Sequence, residues 1–127
     1  MYLKLVLKGR IPSKKNSKQR TGKRLISSKA YLEREKEQLD ELKSQVSPLG
    51  LNDKVHIRYT FYMPDNRKTD LSNKVESIND LLVKYGLFED DNRKILNELY
   101  ILCEGVDKKD PRVEIEINKN QFLFDKL

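Results

Sequence analysis

The sequence predicts an α+β fold: a small mixed sheet of about four strands with two main helices packed on it, in a single domain spanning residues 1–127. Three observations lead there. Short runs alternate apolar and polar residues with the period of a strand, and two longer runs repeat apolar residues at helical spacing. A chain of 127 residues is long enough for one core and too short for two ordinary domains.

The elements follow in chain order. Leu3, Leu5 and Leu7 share one face of a first strand over Tyr2–Lys8. Ile11–Arg24 is rich in Pro, Ser, Asn and Gly and lacks apolar periodicity, so it reads as a loop. Ser27-Ser28 then cap a helix from about Ala30 to Val46, with Tyr31, Leu32, Leu39, Leu42 and Val46 as its apolar stripe. Pro48 and Gly50 stop it. Val55–Met63 is the second strand, on which His56 alternates with Val55 and Ile57 and is expected to face outward.

A second helix covers roughly Leu71–Lys84 and ends at Gly86. At 100° per residue, Leu71, Val75, Ile78 and Leu82 fall on one face and Asp70, Asn73, Glu76, Ser77 and Asp80 on the other. Lys94–Cys103 reads as a third strand, with Cys103 in the core. Val113–Ile117 alternates as a fourth strand that pairs back on the third across a polar turn. The tail, with Phe122, Leu123 and Phe124, is expected to cover a sheet edge or a partner subunit.

Charge is unevenly spread. Residues 1–29 hold ten Lys or Arg and no acid, so they carry +10 while residues 30–127 carry −4. The basic loop at about 9–29 is therefore the expected footprint for a polyanion, with Lys14, Lys15, Asn16, Lys18, Arg20, Lys23 and Arg24 as candidate DNA contacts. A solubilising arm is the plainer alternative. No apolar stretch approaches the roughly 20 residues of a membrane span. One cysteine leaves no internal disulfide and no Cys-based zinc site, as suits a cytoplasmic protein.

Against that basic background, six carboxylates gather within 22 residues: Asp70, Glu76, Asp80, Glu89, Asp90 and Asp91. Like charges repel, so such a cluster points to a cation or to chemistry that uses the carboxylates. Phosphodiester hydrolysis asks for a cation at the phosphate, a water made nucleophilic and stabilisation of the growing charge, all of which carboxylates with Lys or Arg beside them can supply. Mg²⁺ needs only one or two protein carboxylates because it keeps its waters. Asp70 and Asp91 would approach one another if the loop from Tyr85 to Asn92 folds back over the helix. Arg67, Lys68 and Lys74 could meet phosphate or a leaving group. Spacing alone is not specific: Asp70 or Ser72 could serve only as a helix cap, and Glu89-Asp90-Asp91 only as an exposed turn.

The run Met63-Pro64-Asp65-Asn66-Arg67-Lys68-Thr69-Asp70-Leu71-Ser72-Asn73, followed by Asp80 and by Gly86-Leu87-Phe88-Glu89-Asp90-Asp91, resembles the RusA family of Holliday-junction resolvases. The early Ile11-Pro12-Ser13-Lys14-Lys15-Asn16 is similar to that family's P-P-S-x-N loop. The resemblance implies a small α+β homodimer, often encoded on phages or prophages, that resolves four-way DNA junctions with Mg²⁺, or with Mn²⁺ as an alternative, in recombination and repair. Carried over by position, Asp70 and Asp91 become metal-ligating catalytic carboxylates supported by Asp90 and Asn73. Two positions depart: Ser72 stands where many members have a second catalytic Asp, and Glu76 where they have a Lys. Because positions 72 and 76 lie one helical turn apart, Glu76 is expected to take over as ligand while Lys74 supplies the positive charge. A noncatalytic DNA-binding module is the alternative.

Overall fold

The computed structural model describes residues 2–11, 18–21, 24–27, 29–92 and 94–119. Their order is β1 (Tyr2–Lys8), β2 (Lys18–Thr21), β3 (Arg24–Ser27), α1 (Lys29–Gln45), β4 (Val55–Met63), α2 (Leu71–Tyr85), β5 (Leu96–Val106) and β6 (Arg112–Asn118). Four strands form one open mixed sheet in the order β1-β6-β4-β5. The result is the expected α+β domain with two helices. Among the described residues no helix is long and apolar enough to cross a membrane.

Register places the core in rows. Leu3, Ile117 and Ile57 align across β1, β6 and β4, as do Leu5, Ile115 and Tyr59, and then Leu7, Val113 and Phe61. Apart from half-buried Leu3, these side chains are at most 2% exposed, and they pack against Val75, Ile78, Leu81 and Leu82 of α2 and Leu42 of α1. The opposite face is polar. There Arg58 grips Glu116 with two bonds of 2.9 and 2.7 Å, Lys4 pairs with Glu114 at 3.2 Å, and Arg112 lies over the Tyr62 ring.

Several expectations are corrected. The last strand does not pair back on β5: β6 sits between β1 and β4, while β5 runs parallel to β4, reached through the α2 crossover. Alternation marks a strand but not its neighbour, and the polar link after β5 crosses the end of β4, where the Asp107 amide donates to the Met63 carbonyl at 2.8 Å. β5 also runs later than expected, to Val106. The segment read wholly as a loop contains the β2–β3 hairpin, whose ladder joins Lys18 to Ser27 and Thr21 to Arg24. Backbone pairing needs no apolar face, so periodicity does not reveal it.

Three side chains sit otherwise than expected. His56 is on the face away from the helices yet only 7% exposed, with Nδ1 3.3 Å from Glu98 Oε1. Ser77 is buried and bonds back to the Asn73 carbonyl. Cys103 is exposed and lines a cleft with Met63 and Leu71. In α1, Tyr31 and Leu42 are buried but Leu32 is 51% exposed, and Gln38 fills the stripe instead. Ser28 and the tail from residue 120 lie outside the described residues.

One buried polar contact ties α2 to the sheet: the Tyr59 hydroxyl donates to Asn79 Oδ1. Removing the acceptor strands a buried hydroxyl, so Asn79→Ala is expected to cost about 1–3 kcal/mol in urea unfolding. In that background Tyr59→Phe should cost much less than it does alone. Equal costs in both backgrounds would show that the bond contributes nothing.

Candidate active site

The site begins at the N-terminus of α2. Asp70 adopts extended backbone (φ −89°, ψ 103°) and caps the helix, its Oδ1 accepting from the Ser72 amide at 3.0 Å and the Asn73 amide at 3.3 Å. The Ser72 hydroxyl adds a third bond at 2.6 Å. These donors satisfy amides that a helix start leaves unpaired, and the positive end of the helix dipole favours a carboxylate there. Asp70 remains exposed, so it is both a cap and an anion presented at the surface.

The loop leading into Asp70 is braced by Asp65. Its carboxylate accepts from Arg10 Nη2 at 2.5 Å and from the Arg67 amide and Nε at 3.0 and 3.1 Å. Arg67 beside it, through these bonds above all, holds the Asp65 carboxyl well below the usual carboxylate range. The sequence reading missed this residue; its place in the Pro64-Asp65-Asn66 turn is the available signal. Arg67 and Lys68 are exposed beside Asp70, as a phosphate contact requires. A cleft of about 250 Å³ separates this loop from the Cys103–Val106 end of β5.

At the other end of α2, Gly86 (φ 92°) turns the chain back, with the Leu87 amide bonding the Leu82 carbonyl at 3.0 Å and the Gly86 amide the Val83 carbonyl at 2.9 Å. A Cβ on Gly86 would meet Pro48 Cβ at 3.2 Å as well as straining that φ. The returning chain is held to residues 50–51 by backbone bonds, among them Leu51 to Leu87 and Glu89 to Leu51 at 2.8 Å. Asp90 folds into its own turn, accepting from the Asp91 amide at 2.8 Å and Asn92 Nδ2 at 2.9 Å. The Asn92 bond, then the Asp91 amide, lowers its carboxyl pKa. Asp91 acts on Tyr59: burial chiefly pushes the Tyr59 hydroxyl far up, the Asn79 bond opposes this, and the negative charge of Asp91 adds to the rise.

The predicted residues therefore occupy two neighbourhoods. Asp70, Asn73, Arg67 and Lys68 surround the helix start, whereas Asp91 and Asp90 lie on the return loop, with Asp91 felt at the Tyr59–Asn79 contact. Asn79 is nine residues from Asp70, about 13 Å of helix rise. Glu76 is exposed and Asp80 half-buried. Among the described residues no three acidic, His or Cys side chains converge as a metal cage.

Lys74 departs most from expectation. It is 5% exposed, and its ammonium donates to the Ile11 carbonyl, on the inner side of a helix whose position 76 faces solvent. The expected partnership of Lys74 with Glu76 on one surface is not what the fold provides. Lys14, Lys15, Asn16 and Lys23 lie outside the described residues, while Lys18, Arg20 and Arg24 fall on the hairpin strands.

Residues 9–118 match the family model described as endodeoxyribonuclease RusA. The chain belongs to the RusA family. That span includes the Asp70 helix start, the Asp90-Asp91 turn and the basic hairpin. RusA proteins are endodeoxyribonucleases of branched DNA junctions, which accounts for a basic segment beside exposed carboxylates. No curated protein matches the chain.

Burial, followed by the charge of Arg10, lowers the Lys74 pKa from its ordinary 10.5. A lysine whose folded pKa is depressed binds fewer protons folded than unfolded between that value and its unfolded one, so stability rises with pH as the folded group deprotonates. Urea midpoints should therefore climb as pH approaches 10 in the native chain and climb less in Lys74→Met. Parallel profiles would place the Lys74 ammonium in water.

Proposed function

We propose that the chain is a Mg²⁺-dependent, structure-selective endodeoxyribonuclease that resolves four-way DNA junctions by phosphodiester hydrolysis, acting as a homodimer in the bacterial or phage-infected cytoplasm. The observation that carries the reading is the family match over residues 9–118, within which Asp70 stands exposed at a helix N-terminus beside Arg67 and Lys68. Asp70, exposed beside Arg67 and Lys68, is the carboxylate best placed to hold a metal. Asp91, at the other end of α2 with Asp90, is the second candidate ligand, too far along the helix to share one ion with Asp70 within a single chain; Glu76 is the remaining candidate. The donors are all oxygen, the class that Mg²⁺ takes, and one protein carboxylate can hold an ion that keeps most of its waters and also takes substrate phosphate. The chemistry supplied by bound Mg²⁺ is a more acidic water and neutralised phosphoryl charge.

The protein's own contributions are positional and electrostatic. Asp65 pins Arg67 next to the helix start, where a guanidinium can meet a phosphate oxygen in two-point fashion. Asn73 supports the cap that orients Asp70. With Lys74 turned inward, positive charge at the scissile phosphate falls to Arg67 and Lys68. A cut four-way junction has two equivalent strands, which suits two sites related by a twofold axis.

A second reading, a noncatalytic DNA-binding module, is favoured by the inward turn of Lys74, which leaves the Ser72 and Glu76 departures uncompensated. Aspartate variants separate the two. Asp70→Asn and Asp91→Asn should each reduce junction cleavage at least about 100-fold while preserving junction affinity, since an amide keeps shape and loses charge. Wild-type rates in either variant would remove that residue from the site, and no cleavage by the native chain with Mg²⁺ or Mn²⁺ would leave the binding module.

The basic segment has its own test. Replacing Lys14 and Lys15 together by Gln should weaken binding to every DNA form and flatten the slope of log K against log salt by about 0.9 for each phosphate no longer neutralised. An unchanged slope with full affinity would move the DNA surface elsewhere.

A further inference from the structure

β4, α2 and β5 make a parallel βαβ unit, and the cleft of about 250 Å³ opens at its carboxyl end, between Met63, Leu71 and Val106. Crevices in that position, beside a helix N-terminus, are where open sheets of this kind take phosphate-bearing ligands. Here the helix end carries Asp70, and the loop that leads to it carries Arg67.

A bulge builds one wall of the cleft. The ladder pairs Phe61 with Cys103 but Tyr62 with Gly105, so Glu104 is the extra residue and Met63 lies opposite Val106. In a regular strand Cys103 and Val106, three residues apart, would point to opposite faces; the bulge brings both to the side of Phe61 and Met63. Gly105 takes φ 112° at this bend, and a Cβ there would meet nothing within 4 Å among the described residues, so the wall stays open to a ligand. The lining is apolar within, from Met63, Leu71 and Val106, and polar at the rim, where Asn66, Arg67 and Thr69 are exposed.

We propose that this cleft seats one unstacked nucleobase of the DNA strand, while the phosphate of the same nucleotide lies on Arg67 beside Asp70. The proposal rests on the junction-nuclease reading and names the part of the substrate that the cleft takes. Arg67 sets the orientation: Asp65 holds its Nε and Nη2 edge at 3.1 and 3.0 Å, which leaves the Nη1 side to meet a phosphate oxygen. At about 250 Å³ the cleft is smaller than the roughly 300–1,000 Å³ of drug-sized ligand sites, so it suits a single base and not a base pair. An apolar lining accepts the face of any base, and the Asn66 amide and Thr69 hydroxyl can bond a base edge. Bases stacked in a continuous duplex cannot enter. Those at a crossover, where stacking is already interrupted, cost least to swing out, so the cleft favours branched over linear DNA without reading sequence along an arm.

Cys103, the only cysteine, reports on the cleft without any cleavage. With N-ethylmaleimide in chelator, read by mass, saturating four-way junction should slow alkylation of the native chain at least about 10-fold relative to the free chain. A junction with abasic nucleotides at the crossover, equally saturating, should leave alkylation near the free-chain rate. Val106→Trp fills the cleft from an exposed position; it should keep the native circular dichroism spectrum and salt slope of junction binding, yet cut at least about 10-fold more slowly in Mg²⁺, with the loss vanishing on the abasic junction. A thiol already shielded in the free chain, equal protection by both junctions, or native cutting by Val106→Trp would overturn the proposal. If the native chain cuts nothing, the nuclease reading fails and the alkylation result alone decides whether a base enters the cleft.

Discussion

Everything functional in this chain depends on how α2 is seated on the sheet. Val75, Ile78, Leu81 and Leu82 close the core rows of β1, β6 and β4, and the Tyr59–Asn79 bond fixes the helix along its axis. Burying such residues contributes roughly 1.5–3 kcal/mol for each large side chain, far more than the exposed ion pairs around them. With α2 fixed, its start must present Asp70 and its glycine end must return the chain towards Asp91. Displacing the helix would move both carboxylates at once.

The same seating explains what Lys74 does. A lysine one turn inside the helix start, on the buried side, reaches the Ile11 carbonyl, and Arg10 next to Ile11 reaches Asp65 on the loop before Asp70. The root of the basic segment is thereby tied to the helix that bears the acidic site. Basic charge and carboxylates, opposite in sign and far apart in sequence, are held in one frame by these two contacts. The second is exposed and weak by itself; the first, being buried, carries more of the coupling.

Much of this was legible in the sequence. Period-2 alternation in Tyr2–Lys8, Val55–Met63 and Val113–Ile117 and the 3.6 period of both helices are direct consequences of one-sided burial, and Gly86 announced its helix end. Pairing partners were not legible, because alternation in Val113–Ile117 looks the same whether the neighbour is β5 or β4. Nor was the β2–β3 hairpin, whose sequences Lys18–Thr21 and Arg24–Ser27 carry no alternation of apolar and polar residues. Lys74 and Ser77 were misplaced because polar residues were assigned to the wet face; a buried polar group is admissible wherever a carbonyl waits for it, as Ile11 and Asn73 do. Cys103 looked like core because it sits in an apolar strand run, and that pattern does not reveal that the position is exposed.

The account's central claim is that exposed carboxylates at the two ends of α2 serve junction cleavage rather than helix capping alone. Incubating the purified native chain with end-labelled four-way junction and with linear duplex of the same sequence, in Mg²⁺ or in chelator, tests it most directly. The account predicts paired nicks near the crossover in Mg²⁺ only, with linear duplex left intact. Tight junction binding with no product under any metal would contradict it.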